Sequence, residues 1–181
     1  MSRTQVGVAL GMATALVVTV AVFTLAPGLP APPAAFTATL DGRLRLGAAA
    51  ALGPLASLVV AIGFVANRRF FSQADIDGAG LTDESPVVRI PRAVLANTAE
   101  QALLAIPIYA GLALTAPARE LGLPLALASA FILGRLFFAI GYARGAAARS
   151  FGFALTFYPT VGGFVVLAAR LIAGLIARYE A

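Results

Sequence analysis

Asn97 and Glu100 stand at positions i and i+3, and Arg135, Phe138 and Tyr142 recur at i, i+3 and i+7. Each set falls on one face of a helix, and each interrupts a stretch that is otherwise apolar. Ionisable groups at membrane depth cost commonly a few kcal/mol each, so they turn to a bundle interior or a polar cavity and find partners. A pairing of Glu100 with Arg135 or Arg92 satisfies both charges and is the expectation from this pattern. Two roles are open to such a set: clamping helices to one another, or lining a polar site. Arg144 and Arg149, at the end of an apolar run, also suit ordinary juxtamembrane anchors.

Other chemistry is excluded by composition. The chain has no cysteine and no histidine, so disulfides, thiolate nucleophiles, imidazole acid–base catalysis and Cys or His metal sites are all ruled out. No metal site is expected. The thirteen basic residues are all arginine, against eight acids. They are scattered between apolar segments with no basic stripe or interleaved aromatics, which argues against nucleic acid as a partner. The arginine usage is the mark of a GC-rich genome.

The elements that must position these residues are membrane helices. Sixty per cent of the residues are hydrophobic and 12% are charged, whereas a soluble domain has about 45–50% and about 25%. Lipid solvates such a surface where water does not. Val6–Ala26 carries no charge and is long enough to span the hydrocarbon core,. It exceeds the usual signal-peptide core, which favours a retained helix. The prolines at 27, 30, 32 and 33 end it,. Further spans are expected over Leu46–Ala66, from near Pro91 to about Ala116, over about Leu121–Ala143, and from Ser150 to about Ala177. Gln73–Pro86 holds Asp75, Asp77, Asp83, Glu84 and two glycines and reads as a water-exposed loop,. Arginine counts favour a cytoplasmic location for that loop and for the N-terminus. Pro159 suits a kink and Gly162-Gly163 a close helix approach.

Arg92-Ala-Val-Leu-Ala-Asn97-Thr-Ala-Glu100 resembles the Arg…Asn-x-x-Glu signature on the second helix of the MAPEG family, the membrane-associated proteins in eicosanoid and glutathione metabolism. The stretch from Gly134-Arg135 through Gly141-Tyr142-Ala-Arg144 to Arg149-Ser150 is similar to the family's third helix and the start of its fourth. Arg68-Arg69 fits the end of its first. The resemblance covers about Leu46–Ala177. It implies an all-α, polytopic four-helix membrane bundle, here with one extra N-terminal transmembrane helix. Residues 1–40 then form that helix and its Pro-rich connection, and residues 41–181 the MAPEG-like domain. It also implies a homotrimer that binds glutathione as cosubstrate.

Carried over by resemblance, Asn97 and Glu100 would hold the peptide backbone and amino group of glutathione. Arg92, Arg69, Arg135 and Tyr142 would complete the binding set. Arg149, followed by Ser150, would activate the thiol. The chain departs from the family pattern at Phe138 and Gln101, where some members carry tyrosine or histidine, and at Pro107, which comes a turn late. The chemistry is coherent: glutathione has two carboxylates, which guanidinium groups bind well, and a nearby guanidinium lowers a thiol pKa. The function implied is a glutathione-dependent transferase or peroxidase acting on lipophilic electrophiles that arrive through membrane lipid. The alternative is a non-catalytic membrane scaffold or accessory subunit on the same bundle. A small transporter would call for a repeated broken-helix pattern that the sequence lacks. The expected location is the bacterial inner (cell) membrane.

Overall fold

The computed structural model describes all residues except 31, 35, 36, 79–82 and 181. Ala35 of the proline-rich stretch and Gly80 of the polar loop therefore lie outside the described residues. Five long helices make up the fold: α1 (Arg3–Leu25), α2 (Leu40–Phe70), α3 (Pro86–Thr115), α4 (Leu123–Tyr142) and α5 (Ala146–Tyr179). No strand occurs among the described residues.

Local chemistry sets the helix starts. Ser2 and Gln5 form a reciprocal capping box on α1, with Ser2 N donating to Gln5 Oε1 at 2.7 Å,. The Thr39 hydroxyl accepts from Gly42 N at 3.1 Å and starts α2,. Helix α3 begins at Pro86 rather than near Pro91. Proline at the first helical position gives up an N–H that has no intrahelical partner, so Pro86 opens the helix and Pro91 is carried inside it. Gly145 adopts φ 100° between α4 and α5, which a side chain would resist.

α2 pairs with α3 and α4 with α5, and the two hairpins pack through α2–α4, α3–α4 and α3–α5 contacts. Tyr109, Leu112, Leu127 and Phe131 are fully buried at the centre. The Tyr109 hydroxyl is 2.9 Å from that of Thr160, so neither is stranded in the core,. Helix α1 is the added element and lies along α5. Its small residues make that approach close: a Cβ on Gly7 would meet Ala147 at 2.8 Å, and Phe23 fills the space above Gly162 at the other end. The outward surface is apolar, with Val17, Val60, Leu103, Val165 and Leu175 all exposed. That pattern suits lipid and not water.

Four helical segments, Arg3–Gly28, Leu40–Phe70, Ala118–Tyr142 and Ala146–Tyr179, are long and apolar enough to cross a membrane. Helix α3 is as long as these at 30 residues. Its polar residues Asn97, Thr98, Glu100 and Gln101 lower its hydropathy, and α2, α4 and α5 all pack against it. The protein is an integral membrane helical bundle. At the end opposite the α2–α3 loop, Arg43 donates to the carbonyls of Leu114 and Ala116 at 3.2 and 2.7 Å, satisfying the C-terminus of α3. Glu120 pairs with Arg170 there and ties the α3–α4 turn to α5.

Candidate functional site

The polar residues singled out from the sequence fall into two connected groups and one outlier. The first group spans α3, α4 and α5. Arg135 on α4 is 5% exposed. Its Nη1 donates to Asn97 Oδ1 at 2.8 Å and its Nη2 to Thr156 Oγ1 at 2.5 Å. The Thr156 hydroxyl in turn donates to the Phe153 carbonyl at 2.8 Å. Because Asn97 offers its oxygen to Arg135, its amide NH2 faces the other way and donates to Glu100 Oε2 at 3.3 Å. The row Glu100–Asn97–Arg135–Thr156 thus alternates acceptor and donor across three helices.

The row continues through aromatic rings. Arg135 stands 4.5 Å from the Phe138 ring centroid, and Phe138 meets Tyr142 edge-on at 5.3 Å. The Arg149 guanidinium lies over Tyr142 at 4.3 Å. A cation over a ring face is stabilised by about 0.5–2 kcal/mol, more when desolvated. This contact holds Arg149, half-buried, at the start of α5. One donor stays open: Arg135 Nε is buried without a hydrogen-bond partner among the described residues.

The expected ion pair of Glu100 with Arg135 or Arg92 is not formed. Glu100 makes no ion pair among the described residues and is exposed on α3. Arg135 is engaged by the nearer Asn97, and Arg92 is drawn toward the start of its helix by Glu84. That carboxylate is the hub of the second group: Arg92 Nη1 and Arg69 Nη2 reach Glu84 Oε1 at 2.7 and 3.3 Å. Below it, Asp75 accepts from Ser85 N at 2.9 Å and from the hydroxyls of Ser85 and Ser72. The two serine hydroxyls, then the Ser85 amide, hold the Asp75 carboxyl below its ordinary value,.

Ser150 is the outlier. It is buried, its hydroxyl donates to the Ala147 carbonyl at 2.8 Å, and Gly11 of α1 packs directly on it. It belongs to the α1–α5 contact and not to the Arg135 row. Thr156 and Glu84 were not foreseen. A threonine in an apolar helix commonly bonds its own backbone and gives no signal. One acid among four in a loop has no spacing that marks it.

A cavity of about 410 Å³ opens beside the first group between α2, α3 and α4. Val60, Phe64, Val94 and Leu136 are among its apolar lining, and Ser57, Thr98 and Arg135 are its polar residues. Val60, Phe64 and Leu136 are exposed on the bilayer-facing surface. The arrangement therefore offers a guanidinium–carboxamide–carboxylate row on one side and a lipid-accessible slot on the other. About 300–1,000 Å³ is the ordinary size of a small-molecule site.

No curated protein and no solved structure matches the chain. The family model does, and it spans the helices that carry both polar groups. It matches residues 46–169, most of the chain, and this bundle belongs to the MAPEG family.

Proposed function

We propose that the protein is a glutathione-dependent transferase or peroxidase for lipophilic electrophiles, with its site on the Glu100–Asn97–Arg135 row and at Arg149. The observation that carries this reading is the polar row lying against an apolar, bilayer-facing cavity that shares Arg135 with it. Glu100 receives the glutathione amino group, Asn97 the peptide backbone, and Arg69 and Arg92 a carboxylate. Arg149 stabilises the thiolate, which is the nucleophile. In a transfer, the thiolate sulfur bonds to the electrophilic carbon, the leaving group departs with the bonding pair, and water supplies any proton it needs. With a hydroperoxide, the sulfur attacks the O–O bond and the alcohol leaves. A second glutathione then converts the sulfenic product to disulfide and water.

The homotrimer implied by the family is part of the same reading. Glu100 is exposed on a membrane helix of the single chain, an unfavourable place for a carboxylate against lipid. A neighbouring copy or a bound ligand relieves that. The bacterial inner (cell) membrane is the location that belongs to this reading.

The test is calorimetric and thermal-shift titration of the full chain in detergent with glutathione and S-hexylglutathione. Conjugation of 1-chloro-2,4-dinitrobenzene and reduction of cumene hydroperoxide are followed in parallel. Stabilisation by both ligands, weakened in Glu100→Gln, is expected. No binding of either ligand overturns the glutathione reading and leaves a scaffold on the same bundle.

A further inference from the structure

We infer that Glu84 is an internal stand-in for a ligand carboxylate, occupying the Arg69–Arg92 seat until a ligand exchanges with it. This rests on the proposed reading that the two arginines receive a carboxylate. Both guanidinium groups converge on one oxygen, Oε1, Arg92 through Nη1 at 2.7 Å and Arg69 through Nη2 at 3.3 Å. Among the described residues, the hydrogen bond and both ion pairs of Glu84 use Oε1 and none uses Oε2, whereas a carboxylate serving only to pin α2 to α3 gains most from a bidentate grip. Each guanidinium keeps several N–H donors free of Glu84, and Arg69 Nε is buried with no hydrogen-bond partner among the described residues. The seat therefore has more donor capacity than its occupant uses.

Glu84 also sits where it can leave. It stands two residues before the first residue of α3; its own side chain is 17% exposed and Arg92 beside it is half-exposed, so the rim of the seat already meets water and a side-chain rotation carries the carboxylate out. The exchange trades one carboxylate for another on the same two cations, and the net charge of the seat is unchanged. An attached group competes at an effective concentration in the millimolar range. A ligand held by one carboxylate alone is outcompeted, whereas a ligand with a second anchor, such as an amino group on Glu100, displaces Glu84. The residue thus selects for ligands that carry more than one charged handle.

The experiment compares wild type and Glu84→Gln, full length in detergent, titrated with glutarate and separately with glutathione, with thermal melting recorded for each. Glutarate affinity is expected to rise roughly 1.5- to fivefold in Glu84→Gln, the range for removing a partly exposed ion pair. The gain should vanish when Arg92→Ala is added. Glutathione affinity should rise in parallel. If Glu84→Gln does not fold, Glu84→Asp, whose shorter arm weakens the internal contact, carries the same comparison with a smaller gain. Unchanged or weaker glutarate binding overturns the inference and makes Glu84 a structural pin. Tighter glutarate with no glutathione binding in either protein sustains the stand-in and sinks the glutathione reading. Glutathione binding that ignores Glu84 and Arg92 does the reverse.

Discussion

Arg135 holds Asn97 by its amide oxygen at 2.8 Å, and this orients the Asn97 NH2 toward Glu100. A buried cation therefore decides which way a carboxamide on the neighbouring helix points. Removing either partner has different consequences. Asn97→Leu leaves a buried guanidinium short of an acceptor and is expected to destabilise by about 1.5–3 kcal/mol. Arg135→Met removes the charge together with its desolvation cost and is expected to destabilise less, while releasing Asn97 to rotate. Unfolding of the two variants in detergent–denaturant mixtures checks the order, and a larger loss in Arg135→Met contradicts it.

Glu100 is weakly held in the single chain, with one hydrogen bond of 3.3 Å and an exposed side chain. Glu100→Gln, which removes a charge facing lipid in the single chain, is expected to leave stability unchanged or to raise it. If the carboxylate receives the glutathione amino group, the same change lowers affinity roughly tenfold or more, as for a lost hydrogen bond between charged groups. Equal affinity in calorimetric titration removes Glu100 from the site.

Arg149 lies over Tyr142 at 4.3 Å and makes no ion pair among the described residues, so its charge is available to a thiolate. Arg149→Ala should lower kcat by about a hundredfold or more, the scale for losing one preorganised charge-stabilising group, with a smaller change in KM. The bound thiol pKa then returns toward roughly 8.5, and the residual rate climbs with pH through that region. A fall in affinity alone, with kcat unchanged, assigns Arg149 to binding.

The helices were legible in the sequence because lipid enforces long uninterrupted apolar runs, and Val6–Ala26 and Leu121–Ala143 correspond closely to α1 and α4. The ends were less so. Helix α2 extends through Asn67, Arg68 and Arg69 beyond its apolar run, since polarity ends a membrane span without ending a helix. The face shared by Asn97 and Glu100 could be read from spacing, but the partner of Arg135 could not. Which acceptor a long side chain reaches depends on helix rotation, and the charge-pairing expectation named Glu100 where the structure brings Asn97, one turn earlier, to Arg135. Ser150 shows the same limit: adjacency to Arg149 says nothing of which helix its side chain meets, and Gly11 lies some 140 positions away in the chain.

Close backbone contact between α4 and α5 sets the site's frame. A Cβ on Gly152 would stand 2.7 Å from both the Gly134 carbonyl oxygen and Phe138 Cα, the residue just before Arg135 and the one a turn after it, with Gly152 itself a turn before Thr156. Gly152→Ala must push the helices apart, and overpacking of this kind costs typically about 1–3 kcal/mol or more. Gly174, with open space around it, is the control: Gly174→Ala should be neutral or stabilising by up to about 1 kcal/mol. Thermal melting of the pair checks this, and equal stability of the two variants refutes the close contact.

Asp75 gives the α2–α3 loop a defined acid limit. Hydrogen bonds from Ser72 and Ser85 hold its carboxyl below the ordinary 3.8, so the folded state binds a proton less readily than the unfolded chain. The stabilisation is fully present above 3.8 and is lost as pH falls through the lower folded value. Asp75→Asn cannot titrate and should remove that acid-side loss while lowering stability at neutral pH. Hydrogen exchange of the Ser85 amide, whose acceptor is Asp75 Oδ1 at 2.9 Å, reads the loop directly. In wild type its protection should be flat from neutral pH to about 4 and fall below that, whereas in Asp75→Asn it should already be weaker at neutral pH and lack the acid step. Protection that is indifferent to both pH and the substitution refutes the assignment of Asp75 as the carboxylate holding the start of α3.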